Sequence, residues 1–482
     1  MIYFRHLYSG DHAEIFPRAQ SLVRTEKHLK QIPTGTRRKR YKRTTTTTAD
    51  QYIVVNFSSL IAEVPADLIN RAIGNISADT EDKTVELDFI TAVVDASKPT
   101  EKIWAAVTQH QVDGMIAYRI RRDDKTKKVW FEWFLGDRYF PHDDDNGADI
   151  AWIVDHGDGN RKDTYLRVER QRLEEGHLLV TQLAFKIDND TVGDELEIAD
   201  YATKFSVEVP EAVDLNDVDE LMCGFVTNEE TLMSPRGRSS LRNIDSIQEE
   251  INWTITRDSI VFEKHGKPKL AIPSGLWNTV AQENTRHYGG KFVRNADLEV
   301  VSYDEKTGAV PMYIVWDAKT EQSFEHVTRL ITYMLAVSKT SAQAAGLEEG
   351  KGDSGIALLY LWIQSVIKAE SIQSKFDAAI KDAIRKCIIL ENAVGGTAME
   401  VIDPVIEWGD MLPKAESEKN TEEGEKYTAG TQSLETTVRR MHPDWSEESI
   451  TAEIKKIQDE KAVDSLNPVF TQPPRVNLGD AT

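Results

Sequence analysis

The residues best suited to chemistry lie in three short stretches. HDDDN runs from His142 to Asn146, DHGDG from Asp155 to Gly159, and GLEEGKGDSG from Gly346 to Gly355. Carboxylates and imidazoles at this density could hold a divalent metal, and a bound metal could activate water. A metal-dependent hydrolase built this way would use His142, Asp143, Asp145, His156 and Asp158. A calcium loop needs acids at its first, third and fifth positions, glycine at the sixth and glutamate at the twelfth. With Gly147 placed sixth, His142 falls first and Ile153 twelfth, so that pattern fails. Acidic Asp/Gly runs between strands are otherwise turns. The third stretch invites comparison with a phosphate-cradling loop, which needs four residues between its glycines and Ser or Thr after its lysine. Three residues separate Gly346 from Gly350, and Gly352 follows Lys351. Glu348 and Glu349 also stand where phosphate oxygens would need donors. No Gly-x-Ser-x-Gly, His-Glu-x-x-His or Cys-x-x-Cys pattern occurs. Catalysis therefore has no positive support, and no cofactor is implied.

Bulk properties narrow the choice further. Fifty-eight basic against eighty acidic residues leave a net charge of −22. A protein that grips duplex DNA neutralises phosphates with clustered Lys and Arg, so this balance argues against a sequence reader or clamp. A conduit that must not adhere to DNA remains compatible. The 482 residues are enough for two or three compact units. Two cysteines, Cys223 and Cys387, suit a reducing compartment better than a disulfide framework. The longest apolar run, Ile356 to Ile363, is far short of the roughly 20 residues that span a bilayer, so no membrane role is expected. The opening MIYFRHLYSGDHAE shows no secretion signal.

These residues must be carried by a framework, and periodicity outlines it. Residues 1–50 read as an arm. It contains one dense basic run, Thr36 to Arg43, suited either to a phosphate or partner contact or to a solvated surface. A threonine tract follows to Thr48. From Tyr52 to Asn75 the pattern is an amphipathic helix. From Ile103 to Val209, short apolar runs alternate with turn clusters, which predicts a meander of antiparallel strands. Leu241, Ile244, Ile247, Ile251, Ile255 and Phe262 then share one helical face, ending at Gly266 and Pro268. A short-stranded insert runs from Lys267 to Trp316. A second helix follows with Phe324, Val327, Leu330, Ile331, Met334 and Leu335. After the loop from Ser341 to Gly355, one helix continues to Leu390, roughly 55 Å long. Two short strands are expected within TAMEVIDPVIEW and an acidic segment within KAESEKNTEEGEK. A helix should start near Ser446, with Glu447 and Glu448 in its first turn. The proline-rich tail reads as disordered.

That order of parts resembles the portal proteins of tailed bacteriophages of the long, non-contractile-tail siphophage type. The matching segments are Pro235 to Gly275, Ser354 to Phe376, Val405 to Glu460 and WFEWFLGDRYFPHDDDNG in the first half. The resemblance covers most of the chain beyond about Gln51, by pattern and order rather than by a short motif. It implies an α+β portal-protein fold with a β-rich wing, a two-helix stem, a small α/β clip, a long wing helix and a helical crown. Its parts would be an arm (1–50), wing (51–235), stem helix (236–266), clip (267–317), second stem helix (318–340), tunnel loop (341–353), long helix and return of the wing (354–412), crown (413–465) and tail (466–482).

By the same resemblance the protein is not an enzyme. It would form a ring of twelve subunits at one capsid vertex, through which double-stranded DNA passes without sequence preference. Lys339, Gln343, Glu348, Glu349, Lys351 and Asp353 would face the channel. Between Ser341 and Gly355, one base and three acids sum to −2, which would keep a duplex centred without adhesion. Lys267, Lys269, Arg286 and Lys291 would dock the terminase large subunit. Major capsid and scaffolding proteins and a head-completion adaptor would be the other partners. The protein would reside in the virion and, during assembly, in the host cytoplasm.

Overall fold

The computed structural model describes residues 1–20, 52–78, 83–123, 125–144, 146–157, 163–188, 191–207, 209, 212–216, 218–265, 269–273, 299–303, 312–314, 320–347, 355–412, 416–442 and 445–466. Helix α1 (Ile2–Ser9) ends at Gly10, whose φ of 81° turns the chain into α2 (His12–Ile15). Leu7, Phe16 and Ala19 are buried in one core with Leu241, Ile244, Ile251 and Met334. The first twenty residues are thus no arm. Their apolar side chains are removed from water only by docking, and docking makes them core. The basic run at Arg37–Arg43 lies outside the described residues.

Helix α3 (Phe57–Ala72) starts where Asn56 accepts a hydrogen bond from the Ser59 N–H. It stops at Ala72 rather than Asn75, because Ile73 turns extended and opens β1 (Ile73–Ala78). Helices α4 (Thr84–Ser97) and α5 (Pro99–Asp113) meet at Lys98, in left-handed backbone with φ 53°. The start of the expected strand region is therefore helical. Ile103, Ala106, Val107 and His110 bury one face at helical spacing, and Gly114 caps the end.

From there the expected meander forms. Strands β2 (Met115–Arg122) and β3 (Val129–Leu135) lead through a short turn to β4 (Tyr139–Pro141), β5 (Gly147–His156), β6 (Asp163–Glu174), β7 (His177–Asp188) and β8 (Thr191–Leu196). Helix α6 (Ile198–Phe205), β9 (Ala212–Leu215) and β10 (Cys223–Thr227) follow. One sheet runs β4-β5-β6-β7-β8 with β9 also paired to β7; a second runs β10-β2-β3. Every pairing in them is antiparallel.

Helix α7 (Asp245–His265) leads to β11 (Lys269–Pro273), β12 (Glu299–Tyr303) and β13 (Met312–Ile314), a three-stranded sheet centred on β11. Helix α8 (Thr320–Ser338) returns antiparallel to α7: Met334 joins the core of Leu241 and Ile244, while Ser323 donates to Asp258 at 2.5 Å. Helix α9 (Gly355–Gly395) has 41 residues, about 60 Å at 1.5 Å per residue. Its buried face carries Ala369, Phe376, Ile380, Ile384, Cys387 and Ile388. Strand β14 (Pro404–Trp408) pairs with β1. Only one of the two strands expected after Gly395 forms, since the β1 ladder ends with Ala78 opposite Pro404.

A separate unit contains α10 (Glu416–Thr428), α11 (Leu434–Met441) and α12 (Glu447–Leu466). Ser433 caps α11 by accepting from the Thr436 N–H at 3.2 Å, and Ser446 caps α12 by accepting from Ser449 at 3.3 Å. The start expected for the last helix is observed. The whole is α+β. No described helix is long and apolar enough to cross a membrane.

Candidate functional site

Helix α8 delivers the chain to the glycine-rich loop, and its end is built closely. Lys339 adopts φ 55°, the Thr340 N–H reaches back to the Leu335 carbonyl at 3.0 Å, and the Lys339 N–H reaches Ala336 at 3.3 Å. These paired bonds satisfy the last carbonyls of the helix in a Schellman cap, where glycine is usual. A lysine in left-handed backbone costs roughly 1–2 kcal/mol. The chain then makes one further turn. Ala345 N–H bonds Ser341 at 3.1 Å, and a second cap centred on Gly346 (φ 68°) joins Leu347 to Ala342 and Gly346 to Gln343, both at 3.0 Å. The first half of the expected loop is thus a capped turn.

Two residues of α9 fasten this turn. The Ser365 hydroxyl accepts from the Ser341 N–H at 2.9 Å and lies 3.0 Å from the Ser341 hydroxyl. Lys368, one turn further along the same helix, donates to the Ser338 carbonyl at 3.2 Å. Lys368 is half-buried as a residue, but its amine is the enclosed end. Burial pushes its pKa down to about 8, the neighbouring Lys339 adds to the shift, and Glu229 opposes it. Sequence reasoning missed both anchors. Their signal was two polar residues, three apart, within the apolar stretch Val366, Ile367 and Ala369.

Further along α9, Lys375 donates to the Thr227 carbonyl at 2.8 Å, and the Phe376 ring meets those of His110 and Trp133 edge-on or tilted. His110 is fully buried, which lowers its pKa to about 3, with Lys375 and Lys368 adding to the effect. Its Nε2 makes no hydrogen bond, while its Nδ1 lies 3.1 Å from the Gln111 amide nitrogen. Asp382 accepts from Tyr118 at 2.5 Å and pairs with Lys386 at 2.8 Å. Helix α7 is fixed equally firmly. Its polar row Gln248, Asn252 and Thr256 bonds the extended backbone at Ile53 and Val55, at 2.6–3.0 Å. Asn252 also bonds the buried His12 ring at 2.7 Å.

Of the residues assigned to the channel, Lys339 is exposed at the cap and Gln343 is half-buried in the turn. Glu348, Glu349, Lys351 and Asp353 lie outside the described residues, as do Lys267, Arg286 and Lys291; Lys269 is described by its backbone alone, at the start of β11. The helices around the loop leave large apolar side chains open to solvent: Phe262 on α7, Phe324, Tyr333 and Val337 on α8, and Ile363 and Ile367 on α9.

Among the described residues the metal reading finds no supporting geometry. His142 bonds Asp149 at 3.1 Å near the start of β5, and Asp149 is also held by Arg170. His156, at the other end of that strand, bonds the Tyr201 hydroxyl at 2.6 Å and stacks on Phe205. Seven residues of strand, roughly 23 Å, separate Asp149 from His156. Asp145 and Asp158 lie outside the described residues. Among the described residues no three metal-capable side chains come together.

The family model described as "Phage portal protein, SPP1 Gp6-like" matches residues 5–465. Among solved structures, a chain from the neck of an empty GTA particle, computed with C6 symmetry, is 9% identical with a TM-score of 0.43, over 84% of this chain and 94% of that one. A chain from the virion of a native gene transfer agent particle is 9% identical at TM-score 0.43, over 80% and 89%. One from the neck of the native particle, computed with C12 symmetry, is 11% identical at 0.39, over 80% and 89%. No curated protein matches.

Proposed function

The chain belongs to the SPP1 Gp6-like family of phage portal proteins, and on that footing we propose that it closes into a twelve-membered ring at one capsid vertex. Double-stranded DNA would enter and leave through the centre of that ring. The observation that carries the reading is the family match, which runs over nearly the whole chain from residue 5 to residue 465. The described surface supports it. Apolar side chains left open on α7, α8 and α9 need covering, and head-to-tail contacts that close into a ring cover them repeatedly.

The mechanism is mechanical and electrostatic. The α7–α8 pair lines the channel, and the capped turn Ser341–Leu347 launches the segment with Glu348, Glu349, Lys351 and Asp353 towards it. A net charge of −22 per chain repels phosphates, so DNA passes without sequence preference and without sticking. Lys339 and Lys351 offer only brief contacts. The clip docks the terminase large subunit through Lys267, Lys269, Arg286 and Lys291, and that ATPase supplies the energy. The wing meets capsid and scaffolding proteins during assembly in the host cytoplasm, and a head-completion adaptor seals the virion later.

Light scattering and electron microscopy of the purified protein test this. Twelve chains of 54.5 kDa give roughly 654 kDa, and the particles should show a central hole. A compact dimer without a hole would reject the reading. Replacing all four clip cations without loss of DNA packaging would remove the docking assignment alone.

A further inference from the structure

Residues 228–238 leave β10 and return towards α7 as a narrow projection. Its base is closed backbone to backbone. The Asn228 N–H donates to the Gly114 carbonyl at 2.8 Å, and the Arg238 N–H donates to the Asn228 carbonyl at 2.7 Å. A Cβ on Gly237 (φ 78°) would lie 2.3 Å from the Gly114 carbonyl oxygen, and one on Gly114 (φ 86°) would lie 2.6 Å from Arg238. The buried Asn228 side chain locks the two limbs together. It donates to the Arg238 carbonyl and the Ser240 hydroxyl, each at 2.9 Å, and accepts from Gln111 at 3.2 Å. Higher up, Ser234 N–H bonds the Thr231 carbonyl at 2.8 Å, and the Arg238 guanidinium donates to the Thr231 hydroxyl at 3.0 Å.

This rigid mount presents Leu232 and Met233 to water. At 105% and 91% exposure they are the most open large apolar side chains among the described residues. A pair that contributes nothing to its own core, held on a preorganised turn, is built to be buried against something else. We propose that it is a docking finger whose receptor is the α9 helix of a second copy of this chain; this rests on the ring reading above.

Complementarity points to that receptor. Ile363 and Ile367, 37% and 57% exposed, lie four apart on α9, and Glu370 continues the stripe three residues on. Glu370 and Arg236, the latter beside the fingertip, are both exposed; neither is in an ion pair among the described residues, although Arg236 lies within electrostatic range of Tyr139. Apolar tip would meet apolar stripe, and Arg236 would meet Glu370. The stripe of the same chain lies on a different side of α9 from the finger base. Lys375 bonds Thr227 and Lys368 senses Glu229, so those lysines mark the side of α9 nearest the finger base. At ~100° per residue, the stripe lies about 120° further round the helix. Knob and socket on different sides of one subunit are the requirement for a closed head-to-tail ring.

The test uses the full chain and starts from its assembly mass. Leu232→Asp with Met233→Asp should raise the concentration for half-assembly more than tenfold, because two apolar side chains lose their burial. The thermal melt of the dissociated subunit should stay unchanged. Arg236→Glu should weaken assembly several-fold, and adding Glu370→Arg should restore it. Met233→Cys paired with Ile367→Cys should give, on oxidation, a ladder of covalent oligomers that neither single variant gives. Intact rings in the aspartate variant and no ladder from the cysteine pair would overturn the finger while leaving the ring standing. Intact rings that no longer bind scaffolding or capsid protein would also overturn it, by assigning the tip to another partner. A wild-type chain that never forms rings, and gives no ladder, would sink both readings.

Discussion

Replacing Lys368 with methionine should change the pH dependence of stability in a calculable way. The amine is enclosed where α8 meets α9, and burial lowers its pKa from 10.5 to about 8. In the unfolded chain it keeps its proton up to the higher value, so between the two the unfolded state binds more protons and stability rises with pH. The contribution is absent below the folded value and complete above the unfolded one. Between pH 7 and pH 9.5 the wild type should gain about 2 kcal/mol relative to Lys368→Met, from a shift of 1.36 kcal/mol per pH unit over most of that window. The variant leaves the Ser338 carbonyl without its donor, at roughly 1 kcal/mol, but that loss does not vary with pH. Below pH 8 the variant should therefore match or exceed the wild type. Urea unfolding of both proteins at pH 7, 8 and 9.5, under conditions where the chain is not assembled, measures the difference directly. A difference that stays flat, or that falls with pH, would falsify the claim that the amine is desolvated at this junction.

Further outcomes follow from named contacts. Asn228→Ala removes three hydrogen bonds, two of them buried, and should destabilise by roughly 2–4 kcal/mol in urea unfolding; under about 1 kcal/mol, the base of the projection is not held as described. His110 is neutral when folded, with a pKa near 3 against 6.5, so stability should be lost as pH falls from 6.5 towards 3. His110→Gln should spare on the order of 3 kcal/mol of that loss by pH 4, read by acid titration of fluorescence. Gly237→Ala places a methyl group against the Gly114 carbonyl in left-handed backbone and should lower the melting temperature, whereas Lys339→Gly should raise it by relieving roughly 1 kcal/mol of strain. Ser365→Ala should cost about 1–3 kcal/mol and speed proteolysis near Ser341, since the capped turn loses its anchor.

Particular elements show how far pattern reaches. The faces of α7, α8 and α9 were legible, because apolar residues three, four and seven apart leave one helical surface. The β5–β8 meander was legible from alternation broken by turn clusters, and α12 from its serine cap and first-turn acids. Residues 1–20 were misjudged, since eight- and four-residue helices carry too few positions for periodicity to stand out from a surface segment. The helical start of the expected strand region was missed for a related reason: its buried face includes His110 and Gln111, which look solvated in sequence. The capped turn after α8 was read as open loop, although Gly346 marks its end as glycine commonly does.

By itself the sequence determined the long helices, the meandering sheet, the acidic balance and the family, because each depends on local period, composition or an order of parts that survives without coordinates. Only the tertiary structure decided which polar residues act together. Ser365 with Ser341, Lys368 with Ser338, and Asn228 with Gln111 and Ser240 are each separated by 12 to 117 residues along the chain. Hydrogen bonds of this kind form only when distant backbone is brought within about 3 Å, a condition no spacing along one strand or helix can encode. The same holds for the fingertip. Leu232 and Met233 are ordinary apolar residues in sequence, and only their mount on two facing glycines leaves them projecting into water.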